Sequence, residues 1–250
     1  MIRLSAPAKL TLSLQINGIR EDGYHLINAE MVSLNLIDEI VIQEGKGVTV
    51  TSNYLDQPWG FVSTSSVPDN EDNLASQALR LMNIEMSVHI NKKIPPGTGL
   101  GGGSADAAAV LRWGGFDDLK AASKLGADIP FCLQGGRAMV EGIGEEISLI
   151  ENFSQTFTLL IPPFPCSTSD VYAHWDLMGG PKGDNGNDLE PAAIDLYPEL
   201  KKWRDHLSRT TGLRPRLAGS GSTWFVEGSF PQEGHHVVST IADSEHEPGD

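Results

Sequence analysis

The sequence predicts an α+β protein in two lobes that meet near residue 150. Strand-like and helix-like segments are mixed along the chain, without the regular strand–helix alternation of a parallel sheet. The 250 residues suffice for one large domain or two small ones, and 40% hydrophobic with 20% charged residues is an ordinary globular balance. The character of the sequence also shifts around Ile150 to Phe157. There a new apolar strand, Phe157 to Ile161, runs into the bend Pro162-Pro163-Phe164-Pro165. The expected division is an N-terminal lobe over 1–150, a C-terminal lobe over 151–242, and a frayed acidic tail over 243–250.

Each element has a local reason. Apolar residues at Ile2, Leu4, Leu10, Leu12, Leu14 and Ile16 predict strands with a break at Pro7. Asn17-Gly18 and Glu21-Asp22-Gly23 read as turns. Alternation over 31–43 predicts a further strand, as do Val48 to Thr51 and Ser87 to Ile90. Leu74, Ala78, Leu81 and Met82 are spaced as one helical face, preceded by the caps Asp72 and Asn73. A second helix is expected from Ser104, taken as its N-cap, to Trp113, and a short third from Asp117 to Leu125, stopped by Gly126. Ala138 to Leu149 reads as a strand pair turned by Gly142 and Gly144. Beyond a Gly/Pro/Asn loop at 179–187, a helix is expected within Pro191 to Leu207, then strands near Arg214 to Leu217 and Thr223 to Val226.

Composition narrows the function. A formal net charge of −15 repels polyanions on average, so nucleic acid is not an expected partner. The apolar runs are too short to span a bilayer. The N-terminus enters patterned sequence directly, which predicts a cytoplasmic protein with no membrane partner. Cys132 and Cys166 lack neighbours at ligand spacing, so they read as buried thiols, and no metal site of the protein's own is expected.

The strongest local signal is Pro95-Pro96-Gly97-Thr98-Gly99-Leu100-Gly101-Gly102-Gly103-Ser104-Ala105-Asp106, with five glycines in seven positions running into an alanine-rich helix. Such a backbone can adopt φ > 0 and approach a ligand closely. Its N–H groups, with the helix dipole behind them, converge on an anion, and a phosphate chain is the natural guest. Lys92 and Lys93 upstream offer positive charge. Gly97, Gly99 and Gly102 also match G-x-G-x-x-G, the mark of a dinucleotide-binding oxidoreductase. Two prolines separate that match from the strand, where the fingerprint needs a tight strand-to-helix turn. A second cluster, Ala218-Gly219-Ser220-Gly221-Ser222-Thr223, suggests another wall of the same phosphate site.

In this order the pieces resemble the GHMP kinase superfamily. The central loop is similar to its phosphate-binding motif, and Leu217 to Thr223 to its C-terminal glycine motif. Ala6-Pro7-Ala8-Lys9-Leu10, Arg20-Glu21-Asp22-Gly23-Tyr24-His25, Leu125-Gly126-Ala127-Asp128-Ile129-Pro130-Phe131, Ser167-Thr168 with Tyr172, and Asn187-Asp188-Leu189-Glu190 resemble the branch that phosphorylates an alcohol carrying a cytidine diphosphate group. The resemblance implies an N-terminal lobe like the second domain of ribosomal protein S5, a ferredoxin-like C-terminal lobe, and an active site between them. It implies ATP with Mg²⁺, a small-molecule substrate bearing cytidine diphosphate, and a monomer or weak homodimer.

It also implies roles. Asp128 would be the general base and Lys9 its electrostatic partner. Asn73 and the run Pro96, Gly97, Thr98, Gly99, Leu100, Gly101, Gly102, Gly103 and Ser104 would bind ATP. Thr11, Tyr24, His25, Tyr172, Gly219 and Ser220 would bind substrate. Independently, Gly126 before Asp128 and Pro130 after it predict a constrained turn with Ile129 extended. Thr11 stands where the family usually has Asn, keeping a hydroxyl without the amide's dual donor and acceptor character. Trp113-Gly114-Gly115-Phe116 replaces a longer helical excursion. Mevalonate, homoserine or sugar kinases of the same superfamily are the alternatives. An aromatic pocket suits a nucleobase better than an aliphatic acid.

Overall fold

The computed structural model describes residues 1–53 and 67–241, arranged around two sheets. The first has six strands: β1 (Ile2–Ile19), β2 (His25–Gln43), β3 (Gly47–Ser52), β4 (Ser87–Lys92), β5 (Arg137–Gly142) and β6 (Glu146–Leu149). β1 and β2 form a long antiparallel hairpin, from Ile2 opposite Ile42 to Ile19 opposite His25. The other edge of β2 is shared, β5 pairing with residues 27–32 and β4 with residues 39–43. β3 lies parallel to β4, and β6 antiparallel to β5.

The second sheet comprises β7 (Thr156–Leu160), β8 (Arg216–Leu217), β9 (Trp224–Glu227) and β10 (His235–Ser239), antiparallel in the order β10-β7-β9-β8. Between β7 and β8 lie α5 (Thr168–Leu177), α6 (Glu190–Leu196) and α7 (Leu200–Thr211). This is the strand order of a ferredoxin-like sheet, with one of its two helical crossovers. The other crossover, from β9 to β10, is the short segment 228–234. The sheets meet at the middle of β2, where Leu34 bridges Thr240 and the Ile241 N–H donates to Ser33 O at 3.0 Å.

Four helices complete the part around the first sheet: α1 (Leu74–Leu81), α2 (Gly102–Trp113), α3 (Leu119–Ala122) and α4 (Ile129–Gln134). α2 is buried along almost its whole length, from Ala105 to Leu111, as its apolar circumference requires. The even-numbered residues of β1 from Ala6 to Ile16 are all buried. Each fully buried Leu or Ile among them contributes roughly 1.5–3 kcal/mol.

Several local expectations are corrected. β1 runs through Pro7, because a register shift between Pro7 and Lys9 absorbs the missing N–H. Asn17-Gly18 is likewise a strand irregularity, between Ile16 and Gly18. α2 starts two residues before Ser104, and its N-cap is Gly101 at φ 68°, a left-handed conformation that glycine adopts without strain. α3 is one turn only, Asp118 accepting from the Ala121 N–H. Ile129 is helical: proline is tolerated in the first turn, and burial of Ile129, Pro130 and Phe131 overrides the local preference. The helix expected within 191–207 is two helices, parted at Tyr197. The expected acidic tail lies outside the described residues.

Candidate active site

β1 aims two polar side chains away from its buried face. Lys9 and Thr11, two residues apart and therefore on the same side, are joined by a bond from Lys9 Nζ to Thr11 Oγ1 of 3.1 Å. The hydroxyl at position 11 thus orients the lysine. Lys9 Nζ also lies 3.3 Å from Asp128 Oδ2. Asp128 occupies the N-cap position of α4, yet its carboxylate caps nothing, which leaves it facing the lysine. Lys9 is 4% exposed, and the Asp128 side chain retains 31% exposure, on the open side of the pair.

The glycine-rich loop is fixed above this pair. Gly97, Gly99 and Gly101 all have φ between 68° and 78°. A Cβ on Gly101 would stand 2.8 Å from Lys9 Cγ, so glycine there lets the lysine stem pass beneath. One on Gly99 would run into the carbonyl of Ala218 and meet that of Gly221 at 3.0 Å. Gly97 O accepts from Cys166 N at 2.9 Å, Thr98 O from Thr223 N at 3.1 Å, and Leu100 O from Lys9 N at 3.0 Å. The loop is therefore stitched to β1 and to the second glycine cluster, and the first N–H groups of α2, as at any helix start, have no partner inside the helix.

The opposite wall is aromatic. The residues of α5 that face it, Thr168, Ser169, Tyr172, Ala173 and Asp176, are spaced as one helical face. His25, at the start of β2, lies 4.7 Å from the Tyr172 ring and 5.5 Å from that of Trp175, and its Nε2 is 2.8 Å from Asp176 Oδ1. Burial pushes the Tyr172 phenol well above its usual range. Tyr24 stays 58% exposed at the rim, with Arg20 over its ring.

Together these walls enclose a cleft of about 640 Å³. Of the residues expected from the sequence, Lys9, Thr11, Tyr24, His25, Gly99, Ser104, Asp128, Tyr172, Gly219 and Ser220 line it. Thr168 Oγ1 and Ser220 Oγ, 2.9 Å apart, close its floor. Other predicted residues serve the frame. The Asn73 amide caps α1 by accepting from Ala75 N and donates to Pro68 O. Thr98 donates to Pro95 O, and Leu100 is buried in the core. Lys92 is not available to a ligand, since it lies beneath the loop bound to Asp38 and Asp106, and Lys93 pairs with Glu39.

Sequence reasoning missed α5 as a helix, and with it Ser169 and Asp176, while Thr168 was read as part of a motif without a place in the site. The signal was present, since Ser167 followed by Asp170 is a capping pattern and the Asp170 N–H donates to Ser167 Oγ. Asn187 and Asp188 brace the site from behind. The Asn187 amide donates to Leu217 O and Gly219 O at 2.9 and 2.7 Å. Asp188 accepts from Ile16 N at 2.8 Å and from Lys182 Nζ.

Residues 73–136, which hold the glycine loop and Asp128, match the family model described as the GHMP kinases N terminal domain. Over 93% of its length the chain is 34% identical to 4-diphosphocytidyl-2-C-methyl-D-erythritol kinase of Syntrophomonas wolfei, covering 90% of that protein. With the enzyme of the same name from Nitrosomonas eutropha, identity is 32% over 96% of this chain and 92% of the other. This chain belongs to the GHMP kinase family. A crystal structure of 4-(cytidine 5'-diphospho)-2C-methyl-D-erythritol kinase superposes with a TM-score of 0.70 at 28% identity, covering 95% of this chain and 98% of that one. As a GHMP kinase the protein is a small-molecule phosphotransferase. The oxidoreductase alternative falls with the fold, because the strand that follows the glycine loop and its helices is antiparallel to its neighbours and no parallel βαβ unit is formed there.

Proposed function

We propose that this GHMP kinase transfers the γ-phosphoryl group of ATP to the 2-hydroxyl of 4-diphosphocytidyl-2-C-methyl-D-erythritol, a step of non-mevalonate isoprenoid synthesis. The observation that carries the reading is the Lys9–Asp128 pair at 3.3 Å, set between a glycine-built anion cradle and an aromatic wall in one cleft. Asp128 accepts the proton of the substrate hydroxyl as its oxygen attacks the γ-phosphorus and the bond to the ADP oxygen breaks. Lys9, oriented by Thr11, offsets the negative charge that builds on the attacking oxygen. Backbone N–H groups of the loop and of the start of α2 hold the phosphate chain. His25 and Tyr172 would hold the cytosine by stacking, with Tyr24 at the rim.

The described residues include no group of three or more His, Cys, Asp and Glu side chains able to hold a metal ion. Mg²⁺ would arrive on the nucleotide's phosphates and screen their charge. The aromatic wall favours the cytidine-bearing substrate over mevalonate or homoserine. A coupled ADP-release assay with all three alcohols tests this. Turnover confined to the diphosphocytidyl substrate is expected, and preference for mevalonate or homoserine would overturn the assignment.

A further inference from the structure

Beneath the glycine loop lies a buried ion cluster that phosphoryl transfer does not itself use. Lys92 at the end of β4, Asp38 in β2 and Asp106 in the first turns of α2 are each 2% exposed or less. Lys92 Nζ bonds to Asp38 Oδ2 and to Asp106 Oδ2, the latter at 2.7 Å. The other Asp38 oxygen accepts the backbone N–H groups of Lys93 and of Ile94, the latter at 2.8 Å. The cluster therefore clasps both ends of the loop, residues 92–94 where the chain enters it and residue 106 where it leaves. A Cβ on Gly102 would stand 3.0 Å from Lys92 Nζ, which puts the ammonium directly under the opening turn of α2.

Two carboxylates share one ammonium here, and Asp106 Oδ1 has no hydrogen-bond partner among the described residues. With both carboxylates ionised, the clasp carries a net negative charge in the interior, an expensive arrangement. Burial pushes the Asp106 carboxyl up, Lys92 pulls it back and Asp38 repels it, and the balance stands at about 7. Burial alone would pull Lys92 down, but Asp106 and Asp38 more than reverse this, so it stays charged. From α4, Cys132 also faces Asp106, its thiol pushed by burial up to about 12. The charged groups acting on Asp106 are thus Lys92 of β4 and Asp38 of β2, and α1 packs on α2 with the buried Ala75, Ala78 and Leu79.

We propose that Asp106 is a positioning residue whose proton sets nucleotide affinity. Neutral Asp106 leaves the clasp without net charge under the phosphate chain, whereas ionised Asp106 places a negative charge there and weakens binding. By linkage, the bound nucleotide holds the proton on Asp106. This rests on reading the loop as the nucleotide cradle.

The test measures binding of the β,γ-imido analogue of ATP with Mg²⁺ by calorimetry, in wild type and Asp106→Asn, between about pH 6 and pH 8.5. The nucleotide's own protonation is common to both proteins and cancels in their ratio. The ratio of wild-type to variant Kd is expected to rise from near one to roughly three- to tenfold across that range, the size of one charge acting through a partly screened interior. In the wild type, the Asp106 carboxyl carbon should titrate near neutrality by NMR, and at higher pH once the analogue is bound. Parallel binding profiles, or a wild-type carboxyl midpoint below about pH 5, would overturn the inference while leaving the kinase reading intact. If neither protein bound the analogue at any pH, both readings would fall.

Discussion

Asp128 meets Lys9 with a carboxylate that serves no helix cap, which leaves it free for the role of base proposed for it. Asp128→Asn keeps the shape and removes the proton acceptor. Turnover should drop by about two to four orders of magnitude, with nucleotide binding and melting temperature retained. Single-turnover kinetics beside calorimetry checks this, and near-normal turnover would remove Asp128 from the role. The types and neighbours of these residues were legible in the sequence through their motifs. The destination of Lys92 was not, because a lysine in an alternating strand looks the same whether its partner is solvent or a pair of buried carboxylates.

Within the glycine loop, Gly99 has the least room for change. A methyl group on Gly99 would collide with the Ala218 carbonyl, in a backbone conformation at φ 78° that side chains rarely adopt. Gly99→Ala should therefore push the loop off the second glycine cluster, lower nucleotide affinity at least tenfold, and cost on the order of 1–3 kcal/mol of stability. Calorimetry and denaturant unfolding report the two effects separately; unchanged nucleotide binding would show that the docking of these loops is irrelevant to the cradle. Most strands, together with α1 and α2, follow from periodicity. β10 did not, since its pairing with β7 is wholly non-local and only Val237 and Val238 mark it. The start of α2 was misplaced because serine is the commoner cap, whereas the chain here enters through left-handed Gly101.

At the level of the molecule, the two sheets are tied through groups that also shape the cleft. Asn187, whose backbone bridges Leu14 of β1, holds the carbonyls of Leu217 and Gly219 with its side chain and accepts from Leu189 N, all in buried surroundings. Asn187→Ala leaves these groups unsatisfied, so a loss of about 2–4 kcal/mol is expected. Thermal unfolding measures it, and a melting temperature within a degree of wild type would contradict it. Stability should also depend on pH. Burial holds His236 in β10 neutral, its imidazole lowered to about 3. Its contribution is full above the unfolded value near 6.5 and is lost as pH falls below that. Asp106 acts oppositely, its contribution present at low pH and lost as pH rises through about 7. The stability advantage of Asp106→Asn over wild type should therefore widen between about pH 5 and pH 8 in urea unfolding, and a constant gap would contradict the assignment.

The sequence by itself determined the fold class, the glycine-built backbone and the motif residues, because these are set by local periodicity, chirality and side-chain type. Only the tertiary structure decided which charges meet. It brought Lys9 to Asp128, turned Lys92 inward onto Asp38 and Asp106, and faced α5 toward the loop. Such pairings depend on which distant surfaces bury together, and the energy of a charge depends on that burial more than on its neighbours along the chain.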